Sequence, residues 1–239
     1  MTHFITEFPL SRGLALVAFL LPGTAFANCI LAQEDAQSWA MNGAALARAV
    51  EDCLAEGVDL TAPLPSGDNP LHMLIATTPA PEAVGIALAA GADPNVTGKH
   101  GSPAFVDMVN FAMEKDDPDV IAVLKLLGEA GADFSRPDNQ DQSALSMAAG
   151  GGEVETVRVL LQYGADPNGL NAYSRTPLFE TVFGRCSPEV GELLIEHGAR
   201  LDPMPQDQID RMFEEAAESC ADLGGGDAYV ARLRELAGR

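Results

Sequence analysis

Gly164-Ala165-Asp166-Pro167-Asn168 decides how this chain folds, because versions of it return along the sequence at a nearly fixed interval. Gly91-Ala92-Asp93-Pro94-Asn95 is identical, Gly131-Ala132-Asp133-Phe134 is nearly so, and Gly57-Val58-Asp59-Leu60 and Gly198-Ala199-Arg200-Leu201 are weaker copies. The five glycines follow one another at intervals of 34, 40, 33 and 34. A second signal runs in phase with them: Asn69-Pro70-Leu71-His72, Ser102-Pro103-Ala104-Phe105, Ser143-Ala144-Leu145-Ser146 and Thr176-Pro177-Leu178-Phe179, spaced by 33, 41 and 33. Each part has a physical role. Glycine after a helix takes the left-handed conformation that closes the C-terminus, which a residue with a Cβ adopts only at a cost. Asp-Pro-Asn then turns the chain. Asn, Ser or Thr caps the next helix, and proline behind it fits the first turn, where its missing N–H is not needed. Each unit therefore reads as turn, short helix, loop, second helix.

Two signals held in register over four periods resemble the ankyrin repeat family, whose period is about 33 residues and whose helix-start signature is Thr-Pro-Leu-His. The resemblance covers residues 44–203. It implies an all-α solenoid of stacked antiparallel helix pairs with β-turn fingers and capping repeats. The expected organisation is a signal peptide at 1–27, an N-terminal capping repeat at 28–60, ankyrin repeats at 61–203 and a C-terminal capping helix pair at 204–239.

The segment 1–27 reads as an export signal: Arg12, an apolar run of eight from Leu14 to Leu21, the helix-breaking Pro22-Gly23, and Ala25-Phe26-Ala27 as the small-x-small cleavage pattern. That apolar run is far shorter than the roughly 20 residues that span a bilayer. Cleavage after Ala27 and a periplasmic or secreted location are the expectation, and Asn28 before Cys29 argues against a lipid anchor. Cleavage removes one of the 14 basic side chains, Arg12, and one of the 35 acidic ones, Glu7, so the net charge stays at −21. Such a surface repels phosphate backbones and anionic lipid heads. Nucleic acid and membrane insertion are set aside and a monomer is expected. The leading reading of the acidity is that it keeps an exported protein soluble, and the alternative is that it suits a cationic protein or peptide partner.

Residues 34–56 look like two helices divided at Asn42-Gly43, with Trp39 as core of a capping helix. His72 closes its helix-start motif and, by the resemblance, bonds backbone. Asn95-Val96-Thr97 fits a glycosylation acceptor. The repeat beginning at Ser102 departs from the pattern: Gly131 follows Ser102 by 29, whereas the same interval is 21 from Ser143 to Gly164 and 22 from Thr176 to Gly198. Seven or eight extra residues therefore lie between its helices. They fall in 109–119, around Glu114-Lys115-Asp116-Asp117-Pro118-Asp119, and are expected to lengthen the first helix beyond the stack. The three aspartates lack the glycine and terminal Glu of a calcium loop, so no metal is expected. Gly150-Gly151-Gly152 reads as a short interhelical loop and His197 as a cation at a helix C-terminus. Beyond Pro203-Met204-Pro205, residues 206–220 and 227–237 read as the capping pair.

Four cysteines, Cys29, Cys53, Cys186 and Cys220, permit three pairings. In the stack that the resemblance implies, antiparallel helices bring Cys29 to Cys53, while Cys186 and Cys220 occupy equivalent places one repeat apart. Cys29–Cys53 and Cys186–Cys220 are the expected bonds, and four buried thiols are the alternative. Adjacent repeats lie about 10 Å apart, wider than a disulfide spans, so the second bond requires local bending.

Patterns for nucleophilic, zinc-dependent or phosphate-loop chemistry are absent from the sequence. The reading is non-catalytic, with no cofactor. The resemblance implies a module that binds a protein partner across the concave surface of fingers and first helices. Projected onto this chain, that surface is Lys99, His100, Asp107, Asn110, Phe111, Gln142, Tyr173, Arg175, Glu180 and Phe183. Phe111 and Phe183 carry the competing reading of core aromatics, whereas Tyr173 and Arg175 sit at a finger tip and are the expected energetic centre. A scaffold or inhibitor is the leading function; an envelope accessory that protects or positions an enzyme, and an enzyme with an unrecognised site, are the alternatives.

Overall fold

A computed structural model describes residues 43–63, 69–76, 79–98, 100–111, 116–183 and 186–238. The segment 1–27 expected to be an export signal, Trp39, Cys29, Lys99 and residues 112–115 lie outside these, as does the side chain of Phe111.

Eleven helices form among the described residues: α1 (Gly43–Ala55), α2 (Pro70–Ala76), α3 (Pro81–Ala89), α4 (Ala104–Phe111), α5 (Pro118–Glu129), α6 (Ala144–Gly151), α7 (Val154–Gln162), α8 (Pro177–Glu180), α9 (Pro188–Glu196), α10 (Gln206–Ser219) and α11 (Gly226–Leu236). Local chemistry sets the starts. Asn69 Oδ1 accepts from the amides of Leu71 and His72 at 2.9 and 3.4 Å. The Ser143 and Thr176 hydroxyls accept from the amides of Ser146 and Phe179. Each is an N-cap worth about 1 kcal/mol. The five motif glycines end the preceding helices in the left-handed region, with φ of 82°, 94°, 89°, 89° and 87° at Gly57, Gly91, Gly131, Gly164 and Gly198.

The helices stack in two rows. α2, α4, α6 and α8 pack in succession, and behind them α1, α3, α5, α7, α9 and α11 do the same. The core runs unbroken between the rows through fully buried Leu71, Leu74, Phe105, Leu124, Leu145, Leu160, Leu178 and Leu194. Each contributes about 1.5–3 kcal/mol by leaving water. Phe134, which stands where two other copies of the motif have proline, is buried and meets Phe105 edge-on at 4.9 Å and Tyr163 at 6.4 Å, so it joins two successive units.

Where the motif carries asparagine, that residue ties its unit to the next turn along. Asn95 Oδ1 accepts from the Asp133 amide at 2.7 Å and its Nδ2 donates to the Gly131 carbonyl at 3.4 Å. Asn168 does the same to the Arg200 amide and the Gly198 carbonyl, at 2.8 and 3.0 Å. The Asn95 amide nitrogen, the atom a glycan would need, is therefore engaged in the stack. Side chains of the second-helix row interlock through glycine: a Cβ on Gly128 would collide with the Tyr163 ring, and one on Gly191 with Tyr229.

Several expectations change. His72 bonds a side chain rather than backbone: its Nε2 lies 3.1 Å from Asp107 Oδ2 in the next unit. α4 is described to Phe111, and the extension expected of it falls on 112–115, outside the described residues. The far end of the insert has a defined job: Asp116, at φ 50°, accepts from the Thr156 amide at 2.9 Å and caps α7 of the following repeat, whose own N-cap residue, Glu153, makes no side-chain capping bond. Asp117 caps α5 through the Asp119 and Val120 amides. Gly150 and Gly151 belong to α6, and only Gly152, at φ 68°, leaves it. His197 closes α9, its Nδ1 at 2.8 Å from the Leu193 carbonyl.

α8 is the largest departure. Its four residues are half the length of α4 or α6. Thr181 turns its hydroxyl back to the Leu178 carbonyl at 2.7 Å, the local bond by which threonine competes with a helix. The Thr181 carbonyl then accepts from Ser187. The shortened helix lets Cys186 swing toward the cap, and Cys186–Cys220 closes with Cα atoms 5.1 Å apart. That is the local bending the bond requires. Cys53 is also oxidised, and Cys29, the partner foreseen for it, lies outside the described residues.

Candidate functional site

The fingers that precede α4, α6 and α8 share one turn. In each, the amide of the fourth residue donates to the carbonyl of the first: Gly101 to Gly98, Asp141 to Asp138 and Ser174 to Asn171, at 2.9, 3.2 and 2.8 Å. The fourth residue has positive φ in all three: 85°, 58° and 58°. In the latter two fingers the first side chain also holds the turn. Asp138 Oδ1 accepts from the amides of Gln140 and Gln142, and Asn171 Oδ1 from those of Tyr173 and Arg175.

The residues nominated from sequence divide into three groups. His100 and Asn110 are exposed singly, and the His100 carbonyl accepts from Asn139 Nδ2 of the adjacent finger. Asp107 and Gln142 are half-buried and have structural attachments, Asp107 to His72 and Gln142 through its amide to Asp138. Tyr173, Arg175, Glu180 and Phe183 come together in the last repeat.

Arg175 organises that group, though from below the surface rather than at a tip. It follows the left-handed Ser174, which turns it inward, and it is only 8 % exposed. Its guanidinium carbon lies 4.6 Å from the Phe179 ring centre, 4.4 Å from that of Phe183 and 5.3 Å from that of Tyr173. Cation–π attraction of about 0.5–2 kcal/mol per ring, stronger where water is excluded, holds it there. Phe179 beneath is fully buried, whereas Tyr173 and Phe183 are 65 % and 39 % exposed. The core-aromatic reading of Phe183 is thus corrected, and Phe179 is the core ring. Arg211 of α10, which sequence reading did not nominate, approaches the Phe183 ring centre at 5.7 Å.

Glu180 lies on the helix side of the same group. Burial raises its pKa above the ordinary 4.5, against the opposing pull of Arg175 and of the hydrogen bond that Asn171 Nδ2 donates to its Oε1 at 3.0 Å. Gly150 on α6 faces its Cβ and leaves that side open, as a Cβ there would lie 3.7 Å away. Asn171 is the hinge of the arrangement: buried, it turns its carbonyl to the finger and its amide to Glu180. Its role was missed because Asn in a turn is read as local chemistry alone.

Among the described residues no cluster of three or more His, Cys, Asp or Glu is placed to hold a metal, and no helix is long and apolar enough to cross a membrane.

A family profile described as Ankyrin repeats (3 copies) matches residues 109–205, the span that holds this group. Residues 109–205 carry ankyrin repeats. Similar curated proteins include the mouse cyclin-dependent kinase 4 inhibitor B, 43 % identical over 75 residues, which are 31 % of this chain and 56 % of that one. The human cyclin-dependent kinase inhibitor 2A is 41 % identical over 73 residues, 30 % of this chain and 46 % of its own. A mouse B-cell lymphoma 3 protein homolog is 31 % identical over 136 residues, covering 56 % of this chain and 29 % of the other. The chain therefore spans about half the length of the kinase inhibitors it matches. What is shared is the all-α repeat scaffold.

Proposed function

We propose that this protein is a non-catalytic, exported interaction module that binds a protein partner, with the finger and first helix of its last repeat as the anchor. One observation carries the reading: Tyr173 and Phe183 stand exposed around a sequestered Arg175, and aromatic residues with arginine are the side chains that concentrate binding energy at protein interfaces. The inhibitors among its relatives support a role in occupying a partner. The signal-like segment 1–27 and the Cys186–Cys220 disulfide support delivery to the periplasm or outside the cell, where such bonds persist. The net charge of −21 favours a partner whose facing surface is basic overall and speeds their encounter.

The test is capture from the exported fraction with the wild-type protein and with a Tyr173→Ala, Phe183→Ala variant. A stoichiometric partner held by the wild type and released by the variant is expected. A partner held equally by both contradicts the assignment of the surface.

A further inference from the structure

Arg175 is more than nine-tenths buried, yet its Nε has no acceptor among the described residues. Glu180 attracts it, but the Glu180 Oε1 is engaged by Asn171. Rings on its faces stabilise the charge and leave the Nε–H of the guanidinium unused. A buried donor without a partner is costly, more so when charged, and arginine presents a planar fork that matches a carboxylate. Phe179 fixes the fork from beneath because it is fully buried, whereas Tyr173 and Phe183, both exposed, are free to change rotamer and uncover the edge.

We propose that the last repeat is a carboxylate receptor: an Asp or Glu side chain on a segment of the protein partner docks on the Arg175 fork, flanked by Tyr173 and Phe183. This deepens the interaction reading above and rests on it. Arg211, ion-paired with Glu215 at 3.8 Å, also lies near the Phe183 ring beside the site. Glu180 and Glu215 balance these two arginines, so what singles out the site on a chain with a net charge of −21 is the unused Nε–H of the fork and not a local excess of positive charge. The segment that docks there carries its acidic anchor within a basic stretch, so that the long-range field draws it in and the local fork selects it.

Random-peptide display against the intact oxidised protein tests this. Recovered peptides are then measured with Asp or Glu changed to its amide, on the wild type and on Arg175→Gln, Arg175→Lys and Tyr173→Ala variants. The expected peptides share one Asp or Glu, and its amide form binds at least about tenfold more weakly to the wild type. On Arg175→Gln the carboxylate and amide forms bind alike. Arg175→Lys, which keeps the charge and loses the fork, restores little of the difference. If the Arg175 variants fail to fold, the Arg175 Nε–H resonance of the wild type decides: a shift on adding the peptide supports the receptor and an unmoved signal overturns it. Peptides that need Tyr173 but share no carboxylate, or that stack a cation against Glu180, overturn the receptor and leave the interaction surface standing. Peptides indifferent to Tyr173, or none at all, overturn both.

Discussion

α6 and α8 begin with the same instruction and end differently. Ser143 and Thr176 cap them through the same bond to the third residue on, and each follows a finger with the same turn. α6 then runs for eight residues of Ala, Leu, Ser, Met and Gly, packed flat between its neighbours. α8 stops after four, where Thr181 bonds backward, and the chain that follows carries Phe183 and Cys186. The repeat frame comes from a few capping and turning residues. What distinguishes one repeat from another lies in residues the frame does not dictate, and in the last repeat these gather an arginine, three rings and a disulfide.

If the disulfide is what lets the last repeat tolerate a shortened first helix, its removal should produce the largest loss. Cys186→Ser with Cys220→Ser should lower the unfolding free energy by about 2–4 kcal/mol in a urea titration. The effect should concentrate in α8 to α11 when hydrogen exchange is followed. A uniform loss along the stack would show that the two repeats are equally supported.

The second-helix row sharpens the contrast. Replacing a helical glycine by alanine ordinarily gains about 0.5–1 kcal/mol. Gly85→Ala in α3 should do so, since the nearest atom to the added Cβ is 3.9 Å away. Gly191→Ala in α9 should instead cost about 1–3 kcal/mol, because Tyr229 occupies the space and the core must be overpacked. The Tyr229 hydroxyl is committed too. The single Thr181 proton goes to the Leu178 carbonyl, so Tyr229 donates to Thr181 at 2.6 Å, and burial raises its pKa.

A smaller effect belongs to the repeat before. Asp116→Ala removes the cap that one unit lends to the next and should cost about 1 kcal/mol, with faster amide exchange at Thr156. An unchanged stability would return the insert to a passive loop.

The smallest effect is one of pH. The Glu180 pKa is raised in the folded state, so that state holds the proton more tightly than the unfolded chain does. As pH falls from 7 through the region just above the ordinary value of 4.5, this group adds stability. The difference in stability between Glu180→Gln and wild type should therefore favour the variant at pH 7 and shrink toward pH 4.5. Asp59 and Asp133, held down by hydrogen bonds from Thr61 and Ser135, act in the opposite sense but are common to both proteins and cancel.

The two-signal period made the frame legible: all five motif glycines, the helix starts at Asn69, Ser143 and Thr176, and the helices of the cap appear where those residues place them. Cys186–Cys220 was legible because equivalent places in a stack face each other. Long-range pairings of polar groups were not. Nothing local distinguishes an Asp116 that caps a helix in the next repeat from one that faces water. The inward turn of Arg175 depends on a left-handed Ser174, a conformation usually left to Gly or Asn, and on aromatic faces whose position follows only from the assembled repeat.

The central claim is that the protein grips its partner at the last repeat. Hydrogen exchange of the intact protein, alone and with the captured partner, tests it most directly. The account predicts protection concentrated in residues 171–183 and the facing part of α10, with α3, α5 and α7 unchanged. Protection confined to those second helices, with 171–183 exchanging as in the free protein, would contradict it.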